Sequence, residues 1–256
     1  MKGDTFKAVV KADLHIHTCL SPCASLDMTP RRIVNTAWKR DLDLVAVTDH
    51  NSAENVKAVI ASARNTDLVV IPGIEVMSAE EVHILGLFQE ADEAISMQEL
   101  VYDRLPPGQN DEELFGLQVV VDEHDMVEEI NTRLLIRATT LTVDEIVDAI
   151  HQRNGLAVAA HVDRISFSIL GQLGFIPEGL GLDAVEVSAA LRPLEARRRF
   201  KECKKFPLIT SSDAHSPEQI GKVYTLLLIE RVCWKELAKA LGSVDGRMVI
   251  YEDSRF

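Results

Sequence analysis

No stretch of the sequence approaches the run of roughly 20 apolar residues that crosses a bilayer. The first residues, MKGDTFKAVVKADLH, hold no apolar core of the kind that directs secretion. These absences set the expectation of a cytoplasmic protein with no membrane partner. Cysteine is scarce, and Cys19, Cys23, Cys203 and Cys233 read as reduced thiols rather than a disulfide framework. Positive charge is short as well, with 27 Lys and Arg against 40 Asp and Glu and a formal net charge of −13. A surface this acidic lacks the basic face that displaces counterions from long nucleic acid, so that partner is disfavoured. Divalent cations bound in a cleft would still make it locally positive.

A hydrophobic fraction of 46% with 26% charged residues is that of a soluble globular chain. A length of 256 residues suits a single α/β core, so one domain over residues 1–256 is expected. Short runs rich in Val, Ile, Leu and Ala alternate with helical segments, the pattern of strands covered by helices on both faces. Strands are predicted at 8–16, 43–48, 68–76, 82–88, 156–161, 183–188, 206–212 and 223–229. Thr29-Pro30 opens a helix ending near Arg40, and Thr142 with Glu145 forms a capping box for a helix closing at Gly155. Ser216-Pro217 with Gln219 predicts a short one. Residues 89–141 break the rhythm, with an acidic helical piece, Pro106-Pro107-Gly108, and the runs FGLQVVV and MVEEINTRLLI joined through Asp122 to Asp125. They predict an insertion carrying a hairpin, packed over one rim of the main body.

The chemistry begins at Asp13-Leu14-His15-Ile16-His17. Side chains two apart on a strand share a face, so both imidazoles can reach one metal. The pattern returns at Asp213-Ala214-His215, directly after FPLITSS. Between them, Asp49-His50 follows LDLVAV, Glu75 lies near the end of DLVVIPGIEV, and His161 follows GLAVAA. In parallel α/β barrels the strand C-termini form the functional face, which brings such residues together. Glu75 and His83 are too close in sequence for a helical crossover, so the chain must turn back into an antiparallel strand that returns His83 to the same face. Taken singly, each histidine reads as well as a core or surface residue. Together, six of the eight fall at strand ends with acidic neighbours, and such a cluster titrates unfavourably without cations.

The ordered set DLHIHT, AVTDHN, GIEV, VHILG, AAH and SSDAH resembles the PHP (polymerase and histidinol phosphatase) family over most of the chain outside 89–141. The resemblance implies a distorted (β/α)7 TIM-like barrel with two or three divalent ions, manganese, iron or zinc, at one end. It implies a first ion on His15, His17, Glu75 and Asp213, and a second on Glu75, His83 and His161 with Glu75 bridging. A third ion would use His50, His215 and an Asp just beyond the His-x-His, where this sequence has Pro22 in HTCLSPCAS. The expectation is a third ion held without that Asp; a weaker site, one that recruits water or a thiolate from Cys19 or Cys23, and no third site at all are the alternatives. A buried structural cysteine pair is the alternative.

The implied activity is hydrolysis of a phosphate ester, on a small phosphorylated metabolite or nucleotide, by hydroxide between the first two metals. Glu75 and Asp213 would hold the ions, and His50 and His215 would serve the third ion or the leaving oxygen. Arg164, three residues past His161, and Arg192, after DAVEVS, are the candidates for phosphate binding. Arg133 and Arg137 qualify only if the hairpin folds over the cleft. His124, His151 and the Arg197–Arg199 run on a helical face read as structural or solvated. Two other readings stand beside the phosphoesterase. A metal-dependent amidohydrolase also opens with His-x-His but usually bridges its metals with a lysine, and none occurs between Lys57 and Lys201. A non-catalytic metal-binding module rests on Pro22 alone.

Overall fold

Apolar segments at the predicted places become strands and helices in a computed structural model that describes residues 8–251. The first half runs β1 (Ala8–Ile16), α1 (Pro30–Lys39), β2 (Leu44–Val47), α2 (Val56–Ala63), β3 (Val69–Met77), β4 (His83–Leu87) and α3 (Ala91–Arg104). Then come α4 (Glu112–Phe115) and the hairpin of β5 (Val119–Val121) and β6 (Val127–Ile130). The second half runs α5 (Val143–His151), β7 (Leu156–Ala159), α6 (Ile169–Leu173), β8 (Ala184–Val187), α7 (Pro193–Arg199), β9 (Leu208–Thr210), β10 (Thr225–Ile229), α8 (Trp234–Leu241) and β11 (Met248–Ile250).

Nine strands form one sheet in the order β11-β10-β1-β2-β3-β4-β7-β8-β9. It curls into a nearly closed barrel because β1 is long enough to serve two neighbours on one edge. Its first half pairs antiparallel with β10, from Ala8 opposite Ile229 to Ala12 opposite Thr225. Beyond its far end the chain after β9 closes the ring, with the His17 amide donating to the Ala214 carbonyl at 3.0 Å. The Asp13 carboxylate seals this seam from below, accepting from the Ser212 and Gly221 amides at 2.9 and 2.8 Å. As predicted, β4 is antiparallel to both β3 and β7.

Strand alternation sorts the apolar residues into two layers. Leu44, Ala46, Ile71, Leu85, Leu87, Val158 and Ile209 fill the barrel interior with Leu237 and Leu241 of α8. Val45, Val47, Ile74, Val76, Ile84 and Val185 face outward against the helices. By the same parity Glu75, His83 and Glu186 point inward. The pairing of β1 with β2 slips between Asp13 and Ile16, which puts Leu14 in the inner layer and Ile16 in the outer. That slip leaves His15 and His17 facing the barrel mouth.

Gly73 is the inward position two residues before Glu75, and a Cβ there would lie 2.7 Å from Thr48 Cγ2 and 2.9 Å from the Val47 carbonyl oxygen. Backbone on one side leaves no route for relaxation. Gly73→Ala is expected to cost about 1–3 kcal/mol of stability through overpacking, measured as a lowered urea midpoint; an unchanged midpoint would contradict this close approach.

Some expectations are corrected here. The segment after Ser216-Pro217 is a series of turns and not a helix, because the Gly221 amide is turned toward Asp13. α5 ends at His151, and the chain reaches Gly155 through a turn with Asn154 at φ 56°. β11 was not anticipated, since MVI is too short to stand out in a sequence. α3, placed by sequence in the insertion, contributes Ala94, Met97 and Val101 to the main outer layer. Arg197 is not part of a solvated face: its Cζ lies 4.8 Å from the Tyr251 ring centroid and it donates to Tyr251 Oη at 3.1 Å. No helix among the described residues is long and apolar enough to cross a membrane.

Candidate metal centre

Six histidines meet at the barrel mouth, delivered by the ends of five different chain segments. His15 and His17 come from β1 and the residue beyond it, His50 from the turn after β2, and His83 from the start of β4. His161 and His215 follow β7 and β9. Glu75 of β3 stands at their centre, 1% exposed. Its Oε1 lies 2.8 Å from His83 Nδ1 and 3.4 Å from both His15 Nε2 and His161 Nε2. Its Oε2 lies 2.9 Å from His50 Nδ1 and 3.4 Å from His17 Nε2. Asp213 Oδ1 approaches His15 Nε2 at 3.3 Å and His17 Nε2 at 3.2 Å.

The donor set fits cations. Both Glu75 oxygens and both His83 nitrogens are buried with no hydrogen-bond partner despite these short separations, so the groups converge without satisfying one another. Buried polar atoms left this way are costly unless something neutralises them. The ligand atoms of His15, His17 and Asp213, of His50, Glu75 and His83, and of His17, His50 and His215 form three groups, each within 4.8 Å.

Outer partners orient the rings. His15 Nδ1 donates to Glu186 Oε2 at 3.0 Å, and His17 Nδ1 donates to Ser21 Oγ at 2.9 Å. Each pairing turns an Nε2 lone pair toward the centre. Glu186 also accepts the His161 amide at 3.1 Å. Sequence reasoning passed over Glu186, although its inward parity on DAVEVS was a signal that marked it. Asp49, by contrast, is not in the cluster. Its carboxylate accepts from the Thr18 amide (2.7 Å), Thr18 Oγ1 (2.8 Å) and Ser21 Oγ (2.6 Å), so it holds the loop that carries Ser21.

Electrostatics divide the imidazoles. Burial alone would lower His15, yet the Glu186, Asp213 and Glu75 carboxylates hold it well above the usual value. Burial is likewise overcome at His50, chiefly by Glu75. His17 falls well below the usual value through burial and the positive His215 and His50. Burial takes His83 down to about 4 against the pull of Glu75. Burial would raise Glu75, but His83, His15 and His50 keep it well below the ordinary carboxylate range. Neutral imidazoles beside ionised carboxylates are what a divalent cation requires.

Backbone strain accompanies the cluster. Asn51, His161 and Asp213 have φ of 51°, 29° and 49°. Asn and Asp tolerate this region, whereas His161 is the costly case, of order 1–3 kcal/mol. The strain aims His161 at Glu75 from the turn after β7.

The predicted arginines separate. Arg164 Nη2 lies 2.6 Å from Asp213 Oδ2 with the side chain 46% exposed, at the edge of the cluster. Arg192 is exposed at the N-terminal boundary of α7. Arg133 lies over the Tyr102 ring at 4.2 Å, and Arg137 donates to the Pro107 carbonyl at 3.4 Å, so both are engaged inside the insertion. The insertion nevertheless braces the site, because Asn51 Nδ2 donates to the Leu135 and Arg137 carbonyls at 2.8 Å. His151 pairs with Asp183 at 3.0 Å and exposed His124 neighbours Glu123, both away from the cluster.

The two cysteines of the first loop face opposite ways. Cys19 is buried, with Sγ 3.6 Å from the Val119 carbonyl oxygen of the hairpin, and burial with nearby Asp49 pushes its thiol up to about 12. Cys23 is exposed, and its thiol feels the imidazoles of His215 and His50. What burial it has raises its thiol, but those two imidazoles outweigh this and bring it down to about 6.

A barrel with carboxylates and histidines packed around one buried centre defines a metal-dependent hydrolase. The chain belongs to the PHP domain family: residues 13–172 match that domain, and residues 194–243 match the PHP-associated domain. It is accordingly a metal-dependent phosphoesterase. Among curated proteins it is similar to the 5'-3' exoribonuclease Rnm of Escherichia coli K12, 26% identical over 212 residues, 65% of this chain and 70% of that protein. Among solved structures it is similar to a lesion-specific endonuclease of Pyrococcus furiosus, with a TM-score of 0.72, 21% identity and coverage of 94% of this chain. This chain spans 58% of that endonuclease's length. A second structure holds endonuclease Q with a 27-mer duplex carrying an abasic lesion at its active site. A structure assigned as a metal-dependent phosphoesterase from Bifidobacterium adolescentis gives a TM-score of 0.57 at 19% identity, over 83% of this chain and 91% of that one. At these identities the structural likenesses carry the fold.

The comparisons correct one expectation. Nucleic acid was disfavoured as a partner on net charge, yet the exoribonuclease and endonuclease Q, which share this domain or fold, act on nucleic acid. Net charge averages over the whole surface and says little about a cleft whose potential is set by bound cations.

Proposed function

We propose that this phosphoesterase cleaves a phosphodiester of nucleic acid. The observation that carries the reading is the convergence of six imidazoles with Glu75 and Asp213 at an open barrel mouth. His15, His17, Glu75 and Asp213 would hold one ion, and Glu75, His83 and His161 a second. Such ions, of which manganese, iron and zinc suit the mixed donors, neutralise phosphoryl oxygens and supply an acidic water. His50 and His215 pack against His17, with ring centroids at 4.5 and 4.1 Å, and would serve a third ion or hold a proton near the leaving oxygen.

Substrate size is favoured by the cleft beside the centre. About 610 Å³ is lined by Asp163 to Phe167 and Ser188 to Ala190, with Ile165 91% exposed and Phe167 stacked at 5.1 Å on His83. An apolar rim next to the reacting phosphate suits a nucleobase, which stacks without regard to sequence. The nucleic-acid relatives support the same reading.

Purified protein with manganese should release nucleotides or fragments from RNA or DNA oligonucleotides. The same assay includes p-nitrophenyl phosphate and its bis-ester. Turnover of the simple esters with intact oligonucleotides would sink the nucleic-acid reading.

Arg164 is the first phosphate contact in this scheme and Arg192 the second. A charge-assisted hydrogen bond contributes about 1.5–3 kcal/mol, so Arg164→Ala should raise KM by roughly ten- to a hundredfold. Steady-state kinetics decide the role. A fall in kcat at constant KM would show that Arg164 acts only by holding Asp213.

A further inference from the structure

Positive charge is scarce in this chain, and it is unevenly spread. Seven of the 27 Lys and Arg lie between Arg192 and Lys205, against only Glu195 and Glu202 of the 40 acidic residues. Packing decides which way they face. Ala196 and Cys203 are buried, and Arg197 turns inward to donate to the Phe206 carbonyl at 3.2 Å and to Tyr251 Oη at 3.1 Å. With these three anchoring α7 and the 3-10 turn Glu202–Lys205, the side chains of Arg198, Arg199, Lys201 and Lys204 are left in solvent. Among the described residues none of these four makes an ion pair, whereas Lys205 has Glu178 at 3.8 Å. Cations in a last helical turn suit the helix dipole, which accounts for Arg198 and Arg199. It does not account for Lys201 and Lys204, which lie beyond the end of α7 at Arg199.

The stretch is continuous with the cleft beside the metal centre. β8 ends at Val187, and Ser188 to Ala190 line that cleft. Ser188 donates through its amide and its hydroxyl to the Asp163 carboxylate, both at 2.7 Å, which ties this wall to the loop carrying Arg164. From there α7 takes the chain away from the mouth toward the start of β9. A row of cations therefore leaves the cleft past Arg192 and follows the barrel wall for the roughly 10 Å of α7 and the turn beyond it.

We propose that Arg198, Arg199, Lys201 and Lys204 form an exosite for the phosphate backbone of a nucleic-acid strand whose scissile phosphate lies at the metal centre. The inference rests on the nucleic-acid reading and deepens it. Unpaired, solvent-exposed cations release counterions from phosphates and give affinity without regard to sequence. The acidic remainder of the surface repels the same strand, so the basic row becomes its path. A dinucleotide fills the cleft without reaching the row; a longer strand reaches both.

Steady-state kinetics with manganese on the whole chain test it, with a dinucleotide, a single strand of roughly 20 nucleotides and bis-p-nitrophenyl phosphate as substrates. Combining Arg198→Gln, Arg199→Gln, Lys201→Gln and Lys204→Gln should raise KM for the long strand at least about tenfold at low salt. The dinucleotide and the bis-ester should be turned over as before, which also reports that the variant is folded. The slope of log KM against log salt for the long strand should fall by about 3, since each lost phosphate contact on a single strand is worth about 0.7. Lys201→Gln with Lys204→Gln alone should give about half that change. An unaltered KM and salt slope for the long strand would overturn the exosite while leaving cleavage of nucleic acid in place. So would unaltered strand kinetics with lost binding to phosphatidylserine vesicles, which would assign the row to a membrane surface. Turnover of the bis-ester alone, with both oligonucleotides intact, would overturn the nucleic-acid reading and the exosite with it.

Discussion

Glu75→Gln is expected to cut turnover by about three orders of magnitude, taking the loss of metal-based charge stabilisation as roughly 4 kcal/mol. The amide keeps the shape of the side chain and removes its charge. No other carboxylate can substitute, because five imidazoles lie within 3.4 Å of the two Glu75 oxygens, and Asp213 is occupied with His15, His17 and Arg164. Metal content should fall in parallel, measured by elemental mass spectrometry on the folded variant. Retention of the full metal complement with more than about a tenth of the turnover would show that Glu75 does not bridge. Glu186→Gln provides the graded comparison. It touches His15 and His161 from behind, so it should weaken metal binding by about 10–100-fold rather than abolish it.

Removal of the metals should lower the melting temperature by roughly 5–10 °C. At free metal a hundred times Kd, binding contributes about 2.7 kcal/mol, and each kcal/mol moves a chain of this size by about 2–4 °C. The effect is large because the cluster is buried. Stripping it leaves Glu75 and His83 with unpartnered polar atoms in the barrel. The shift should also shrink as pH falls from about 8 to about 6. His15, His50 and His215 have raised proton affinities in the metal-free chain. A metal must displace those protons, so its affinity rises with pH and fades below the raised values. Differential scanning calorimetry with and without chelator at several pH values checks both statements. A pH-independent shift would mean that the metals bind elsewhere.

The residues that converge at the barrel mouth were legible because chemistry and parity coincide. His15 and His17 sit two apart at the end of an apolar run, and Asp213 and His215 repeat that spacing. His83 required only the argument that so short a connection from Glu75 must reverse direction, and the antiparallel pairing of β3 with β4 bears this out. Composition was a poorer guide: a net charge of −13 described the outer surface and misjudged nucleic acid. Asp49 misled for another reason. Its place after β2 matches that of a ligand, yet hydrogen bonds across the mouth to Thr18 and Ser21 consume it.

By itself, then, the sequence determined which strand ends carry imidazole and carboxylate, since side-chain alternation and strand length are local properties. Closure of the ring, the slip in β1 and the buried Glu186 support came from the tertiary structure alone. So did the decision between Cys19 and Cys23, two thiols on one short loop. Their separation on the chain says nothing of direction. Only the packing of the hairpin turns the first thiol into the core, while the second stays exposed.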